Sequence, residues 1–125
     1  MPVLLCISIS KLLKSFSLSS ILAITPLLLS SFIAASKLFK ALITWASQGI
    51  GKEIAIQLAK ENIVVCINYS KSEAKAESVK DIIEQNDGEA VILKADVSKE
   101  IEVKNMMDFI YKKFGRLDYL INNAW

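Results

Sequence analysis

The sequence predicts an α/β fold, a doubly wound parallel sheet, and three observations carry that prediction. Strand-length apolar runs alternate with segments of helical periodicity from Lys40 onward. One of those runs, Ile63 to Ile67, is continuously apolar, the pattern of a strand covered on both faces. The first run, Ala41 to Thr44, is followed in immediate succession by a turn with Gly49 and Gly51 and by the start of a helix.

Each element has its own justification. Ala41 to Thr44 is apolar or β-branched and reads as the first strand. Ile50 opens an apolar stripe through Ile54 and Leu58, which predicts the first helix. Ile63 to Ile67 is the second strand. Ser72 to Asn86 follows as a helix with Ala76, Val79, Ile82 and Ile83 on one side, ended by Asn86-Asp87-Gly88. Ala90 to Ala95 is the third strand. Ser98 is the expected N-cap of a helix carrying Val103, Met106, Met107, Ile110 and Phe114 at helical spacing, and Gly115 stops it. Met106 and Met107 read as core residues. Leu117 to Ile121 is the fourth strand. With right-handed crossovers the spatial order of these four strands is expected to be 3-2-1-4, leaving the edge of the fourth exposed.

The turn from Thr44 to Gly51 carries the first chemical indication. Gly49 and Gly51 let backbone approach a ligand with no Cβ in the way, and the free N–H groups and positive dipole end of the following helix favour a pyrophosphate. A plain strand-to-helix turn would also use two glycines, so the motifs further along decide the matter.

Thr44-Trp45-Ala46-Ser47-Gln48-Gly49-Ile50-Gly51 resembles the Thr-Gly-x-x-x-Gly-Ile-Gly turn of the short-chain dehydrogenase/reductase family. Ala95-Asp96-Val97-Ser98 is similar to that family's adenine-side motif, and Asn122-Asn123-Ala124 to its Asn-Asn-Ala-Gly motif. In this order and at these separations they mark residues 40 to 125 as resembling the family's N-terminal part, a partial Rossmann fold, in particular that of 3-oxoacyl-[acyl-carrier-protein] reductases. The resemblance implies NADP-dependent hydride transfer between nicotinamide and a carbonyl or alcohol, with an acyl-carrier-protein-bound or small-molecule substrate in a full-length relative. It implies fatty-acid biosynthesis as the setting, and homo-oligomers, into which this fragment is not expected to assemble.

Residue by residue, the resemblance makes Thr44 the tie between the turn and the fourth strand near Asn122. Ser47, Gln48, Gly49, Ile50 and Gly51 line the phosphate turn. Asp96 would accept from the adenine amino group and Val97 would cover its face. Asn122 would bridge neighbouring strands, while Asn123 and Ala124 would pass close to the cofactor ribose. At the end of the second strand, Asn68-Tyr69-Ser70-Lys71 holds no acid, although an NAD-preferring member usually places Asp at about Tyr69. NADP is therefore favoured over NAD, with Tyr69, Ser70 and Lys71 around the ribose. Gln48 stands where NADP-using relatives often carry a basic residue, so one charge near the 2′-phosphate is missing.

Two departures fall on glycines of the family pattern, at Trp45 and Trp125. An indole at Trp45 is expected to displace the turn, at a cost of about 1–3 kcal/mol, and to weaken dinucleotide binding. The family's catalytic serine and its Tyr-x-x-x-Lys pair have no counterpart. Tyr69, Tyr111 and Tyr119 are not followed four places on by lysine, so no catalytic residue is assigned and the 125-residue chain is not expected to turn over substrate.

The N-terminal part differs in character. Residues 1–52 contain no acid, whereas residues 53–125 carry all 13 acids against 10 bases. Ser15 to Ser36 is an uncharged stretch of 22 residues, long enough to span a bilayer, which takes roughly 20. The sequence divides into a hydrophobic leader over 1–36, expected to be helical from Ser15 to Ser36, and a truncated NADP-binding domain over 37–125. The leader reads as a targeting peptide for an organelle such as a plastid or a membrane or translocon contact, as a packed helix, or as spurious upstream sequence, untranslated or misjoined, read as protein. With a spurious leader the location would be cytoplasmic. A non-catalytic, membrane-anchored nucleotide-binding or interaction protein is the alternative function. Histidine is absent and no metal-ligand cluster is present, and no basic patch with interleaved aromatics points to nucleic acid.

Overall fold

A computed structural model describes residues 5–8, 37 and 39–124. The predicted helix from Ser15 to Ser36 and the departure at Trp125 lie outside the described residues. The elements are β1 (Leu5–Ser8), β2 (Lys40–Ile43), α1 (Gly49–Lys60), β3 (Val64–Tyr69), α2 (Glu73–Gln85), β4 (Ala90–Lys94), α3 (Glu100–Phe114) and β5 (Tyr119–Asn122). All five strands are parallel, in the order β1-β5-β2-β3-β4.

The four strands from β2 to β5 take the 3-2-1-4 arrangement expected, with Ala41 beside both Tyr119 and Val65. The fifth strand corrects the sequence reading. Leu5–Ser8, placed in the leader, pairs with β5 from Leu5 beside Tyr119 to Ser8 beside Asn122. The β5 edge expected to be bare is therefore covered, and the backbone N–H and C=O groups it would have left open are paired.

Period-two alternation sorts the strand side chains between two cores. Ala41, Ile43, Val65, Ile67, Tyr69 and Ile121 face one side and pack with residues of α1 and α2, including Ala55, Ala76, Val79 and Ile83. Leu42, Cys66 and Leu93 face the other, against Met106 and Ile110 of α3 and Leu117 of the approach to β5. Both faces of β3 are thus covered, and all six of its residues are buried. Burial pushes the Cys66 thiol up to about 12, which keeps it protonated and apolar in character.

Two local expectations are revised. The buried residues of α1 are Gly51, Ala55 and Ala59, not Ile50, which is 50% exposed. Small side chains at four-residue spacing let the helix lie close to the sheet, with Ile54 and Leu58 packed against the flank of the core. At α3 the residue flanking the first turn is Lys99, without a side-chain cap, while the Ser98 hydroxyl donates to Asp96 Oδ1 at 2.7 Å. Glu102 secures this loop, accepting from the Asp96 N–H at 2.7 Å and from Lys99 Nζ at 2.9 Å. Among the described residues no helix is long and apolar enough to cross a membrane.

Candidate cofactor site

Because β2 to β5 run parallel, their carboxyl ends lie at one edge of the sheet, the edge at which open α/β sheets bind ligands. The residues singled out from the sequence follow the ends of these four strands: Thr44 to Gly51 after β2, Tyr69 to Lys71 at β3, Asp96 and Val97 after β4, and Asn122 to Ala124 at β5.

Thr44 is buried and joins the turn to β5 on two levels. Its N–H donates to the Ile121 carbonyl at 3.1 Å, and its Oγ1 accepts from the N–H groups of Asn123 at 2.8 Å and Ala124 at 3.0 Å. Asn123 also donates from Nδ2 to the Trp45 carbonyl at 3.3 Å. Asn122 is exposed at the end of β5, in register with Ser8.

Asn68 was not among the residues selected from the sequence, yet it holds this edge together. It is fully buried, donates from Nδ2 to the carbonyls of Leu93 at 3.3 Å and Ala95 at 3.0 Å, and accepts at Oδ1 from the Trp45 N–H at 3.3 Å. Its own carbonyl accepts from the Ala46 N–H at 3.0 Å. One side chain in the middle of the sheet therefore ties the phosphate turn to the end of β4. The signal available was a single amide in the otherwise apolar run around β3.

Trp45 is bonded into the turn through both its N–H and its carbonyl, and it adopts φ 53°, the left-handed region that a glycine would occupy without strain. The side chain is 43% exposed. The backbone strain lies within the turn, so Trp45→Gly is expected to raise stability by about 1 kcal/mol in urea denaturation. An unchanged or lower urea midpoint would contradict the strain argument.

The turn fits a phosphate group. Gln48, the residue preceding α1, has extended backbone and makes no side-chain cap, and the first turn of α1 contains no acid. Among the described residues the N–H groups of Gly49, Ile50 and Gly51 meet no acceptor, and the space a Cβ would take at Gly49 is open to at least 4 Å. Gly51 does a different job. A Cβ there would stand 2.6 Å from Asn123 Nδ2 and 2.7 Å from the Trp45 carbonyl oxygen, so its hydrogen lets the helix start lie against β5's end.

Around this turn, Ser47 is half-buried and Gln48 exposed, with Gln48 Oε1 accepting from Lys75 Nζ at 2.6 Å. Tyr69 is buried in the core, and burial together with Glu73 holds its phenol above the ordinary range. The exposed side of β3's end consequently consists of half-buried Ser70 and exposed Lys71. Asp96 Oδ1 accepts from both the N–H and the hydroxyl of Ser98, which with Lys99 and Lys71 holds its carboxyl below the ordinary range. Its Oδ2, 3.9 Å from Lys99 Nζ, is the oxygen left to accept from a base. Val97 and Ala124 are half-buried beside it and at the end of β5 respectively. Among the described residues no group of three or more His, Cys, Asp or Glu could hold a metal ion.

This architecture agrees with comparisons to known proteins. The sequence model described as short chain dehydrogenase matches residues 40–124. The chain is 40% identical over 84 residues to the short-chain dehydrogenase/reductase homolog YusS of Bacillus subtilis, covering 67% of this chain and 77% of that protein. It is 45% identical over 84 residues to the 3-oxoacyl-[acyl-carrier-protein] reductase FabG of Staphylococcus epidermidis, covering 67% of this chain and 34% of the reductase. Among solved structures, a short chain dehydrogenase from Burkholderia cenocepacia in complex with NADP superposes with a TM-score of 0.66 at 39% identity, over 70% of this chain and 36% of that one. The chain thus spans most of one relative and about a third of the other two. From residue 40 onward, in sequence and fold, it belongs to the short-chain dehydrogenase family.

Proposed function

We propose that this chain is the cofactor-binding part of an NADP-dependent oxidoreductase whose full-length form reduces 3-oxoacyl thioesters to 3-hydroxyacyl thioesters. The observation that carries the reading is the α1 N-terminus: three amides without an acceptor, no acid in the first turn and open space at Gly49, all at the carboxyl edge of the sheet. The NADP complex of the Burkholderia relative and the identity to the Staphylococcus reductase support the choice of cofactor and substrate class.

In this reading the amides of Gly49, Ile50 and Gly51 hold the pyrophosphate. Asp96 Oδ2 accepts from the adenine amino group, Val97 lies along the base, and Asn123 and Ala124 border the ribose nearer the reacting end. Bound nicotinamide would supply or accept hydride. No residue of the chain supplies the proton that must accompany it, because no tyrosine is followed four places on by lysine. The 125 residues therefore bind cofactor without turnover.

Calorimetric titration tests this. The chain is expected to bind NADPH more tightly than NADH and to show no oxidation of NADPH in the presence of a 3-oxoacyl thioester. Absence of heat with either nucleotide would overturn the reading, and steady turnover would overturn the assignment of a non-catalytic part.

A further inference from the structure

We infer that Lys75, from the first turn of α2, is the residue that selects a 2′-phosphorylated dinucleotide at this site, with Gln48 as the arm that holds it in place. The inference rests on the reading of the site as an NADP site and names the specificity determinant within it.

Gln48 occupies the N-cap position of α1, and its side chain makes no capping bond. Its Oε1 instead accepts from Lys75 Nζ at 2.6 Å, a contact across 27 residues of sequence that brings the ammonium to the rim of the phosphate turn. A neutral amide satisfies one donor of the ammonium without cancelling its charge. Among the described residues no carboxylate lies within ion-pair distance of Lys75, whereas Lys99, Lys80 and Lys104 each have one. The nearby acids Glu73 and Glu77 act on the Tyr69 phenol.

Lys75 is not the sole cation at this edge. Lys71, exposed after β3, lies close enough to Asp96 to favour its ionised form. Lys71 and Lys75 therefore flank the start of α2, beyond the end of β3, Lys75 reaching the phosphate turn through Gln48 and Lys71 lying towards Asp96. In the proposed NADP site the 2′ substituent of the adenine ribose would lie at this rim. A phosphate monoester there gains a charge-assisted bond from Lys75, while a hydroxyl gains only a neutral partner such as Gln48. The charge missing at Gln48 is thus supplied from a different helix.

The test measures dissociation constants of the full chain for NADPH and NADH by calorimetry, for the native sequence and for Lys75→Ala, Lys75→Arg and Gln48→Glu. Lys75→Ala is expected to weaken NADPH about tenfold and leave NADH unchanged, the size of one exposed charge-assisted hydrogen bond. Lys75→Arg is expected to retain the preference, and Gln48→Glu to reduce it, because its carboxylate would pair with the ammonium and repel the phosphate. If Lys75→Ala weakens both nucleotides equally or neither, the assignment to Lys75 is wrong while the NADP reading stands. If the native chain binds neither nucleotide, the NADP reading is wrong and the role of Lys75 falls with it.

Discussion

Asn68→Ala is expected to destabilise the chain by about 3 kcal/mol, the largest effect of any polar substitution at the carboxyl edge. The side chain is fully buried and engages three backbone groups belonging to two separate segments, the Trp45 N–H and the Leu93 and Ala95 carbonyls. Truncation leaves those groups without this partner in a site too enclosed for free solvation, and adds a small cavity. Asn68→Asp tests the direction of the bonds, since an ionised carboxylate cannot donate to the Leu93 and Ala95 carbonyls. It is expected to cost at least as much as the alanine. Urea denaturation provides the measurement, and a loss below about 1 kcal/mol for both variants would show that the turn and β4 hold their relative positions without Asn68.

The second large effect is expected at Gly51. A methyl group at this position would meet Asn123 Nδ2 at 2.6 Å and the Trp45 carbonyl oxygen at 2.7 Å, both closer than packed atoms tolerate. One of these is backbone already fixed by the Asn68 bond on the other side of Trp45, so the helix start must retreat instead. Gly51→Ala is expected to cost about 2 kcal/mol in stability. It should also weaken NADPH by roughly tenfold, because retreat moves the first-turn amides from the phosphate they would hold. Gly49→Ala provides the contrast, having φ 60° but open space, so that its cost is backbone strain with no collision. Equal losses at the two positions would mean that the close approach of α1 to β5 contributes little.

The sheet was legible because its strands are short apolar runs bounded by turn residues, and the order of β2 to β5 followed from connection rules that hold for parallel sheets generally. The apolar stripe of α1 was read one residue early, because hydrophobicity drew attention to Ile50 while close packing selected Gly51, Ala55 and Ala59. Asn68 was hidden for a related reason. A single amide at the end of an apolar run can be located in the sequence, but the run does not say which backbone groups of other segments it bonds. The Lys75 contact to Gln48 and the pairing of Leu5–Ser8 with β5 depend on segments brought together by tertiary structure, so spacing along the chain carries no trace of either. The phosphate turn stood out because its requirements are local: glycine at defined positions, a strand before it and a helix after.

The central claim is that the α1 N-terminus receives the dinucleotide phosphates. Titrating NADPH into the isotopically labelled chain and following the backbone amide resonances by NMR tests it most directly. The largest shifts are predicted for Gly49, Ile50 and Gly51, with smaller ones at Asp96, Val97 and Asn123. Shifts confined to other parts of the chain, or none at a saturating concentration of nucleotide, would contradict it.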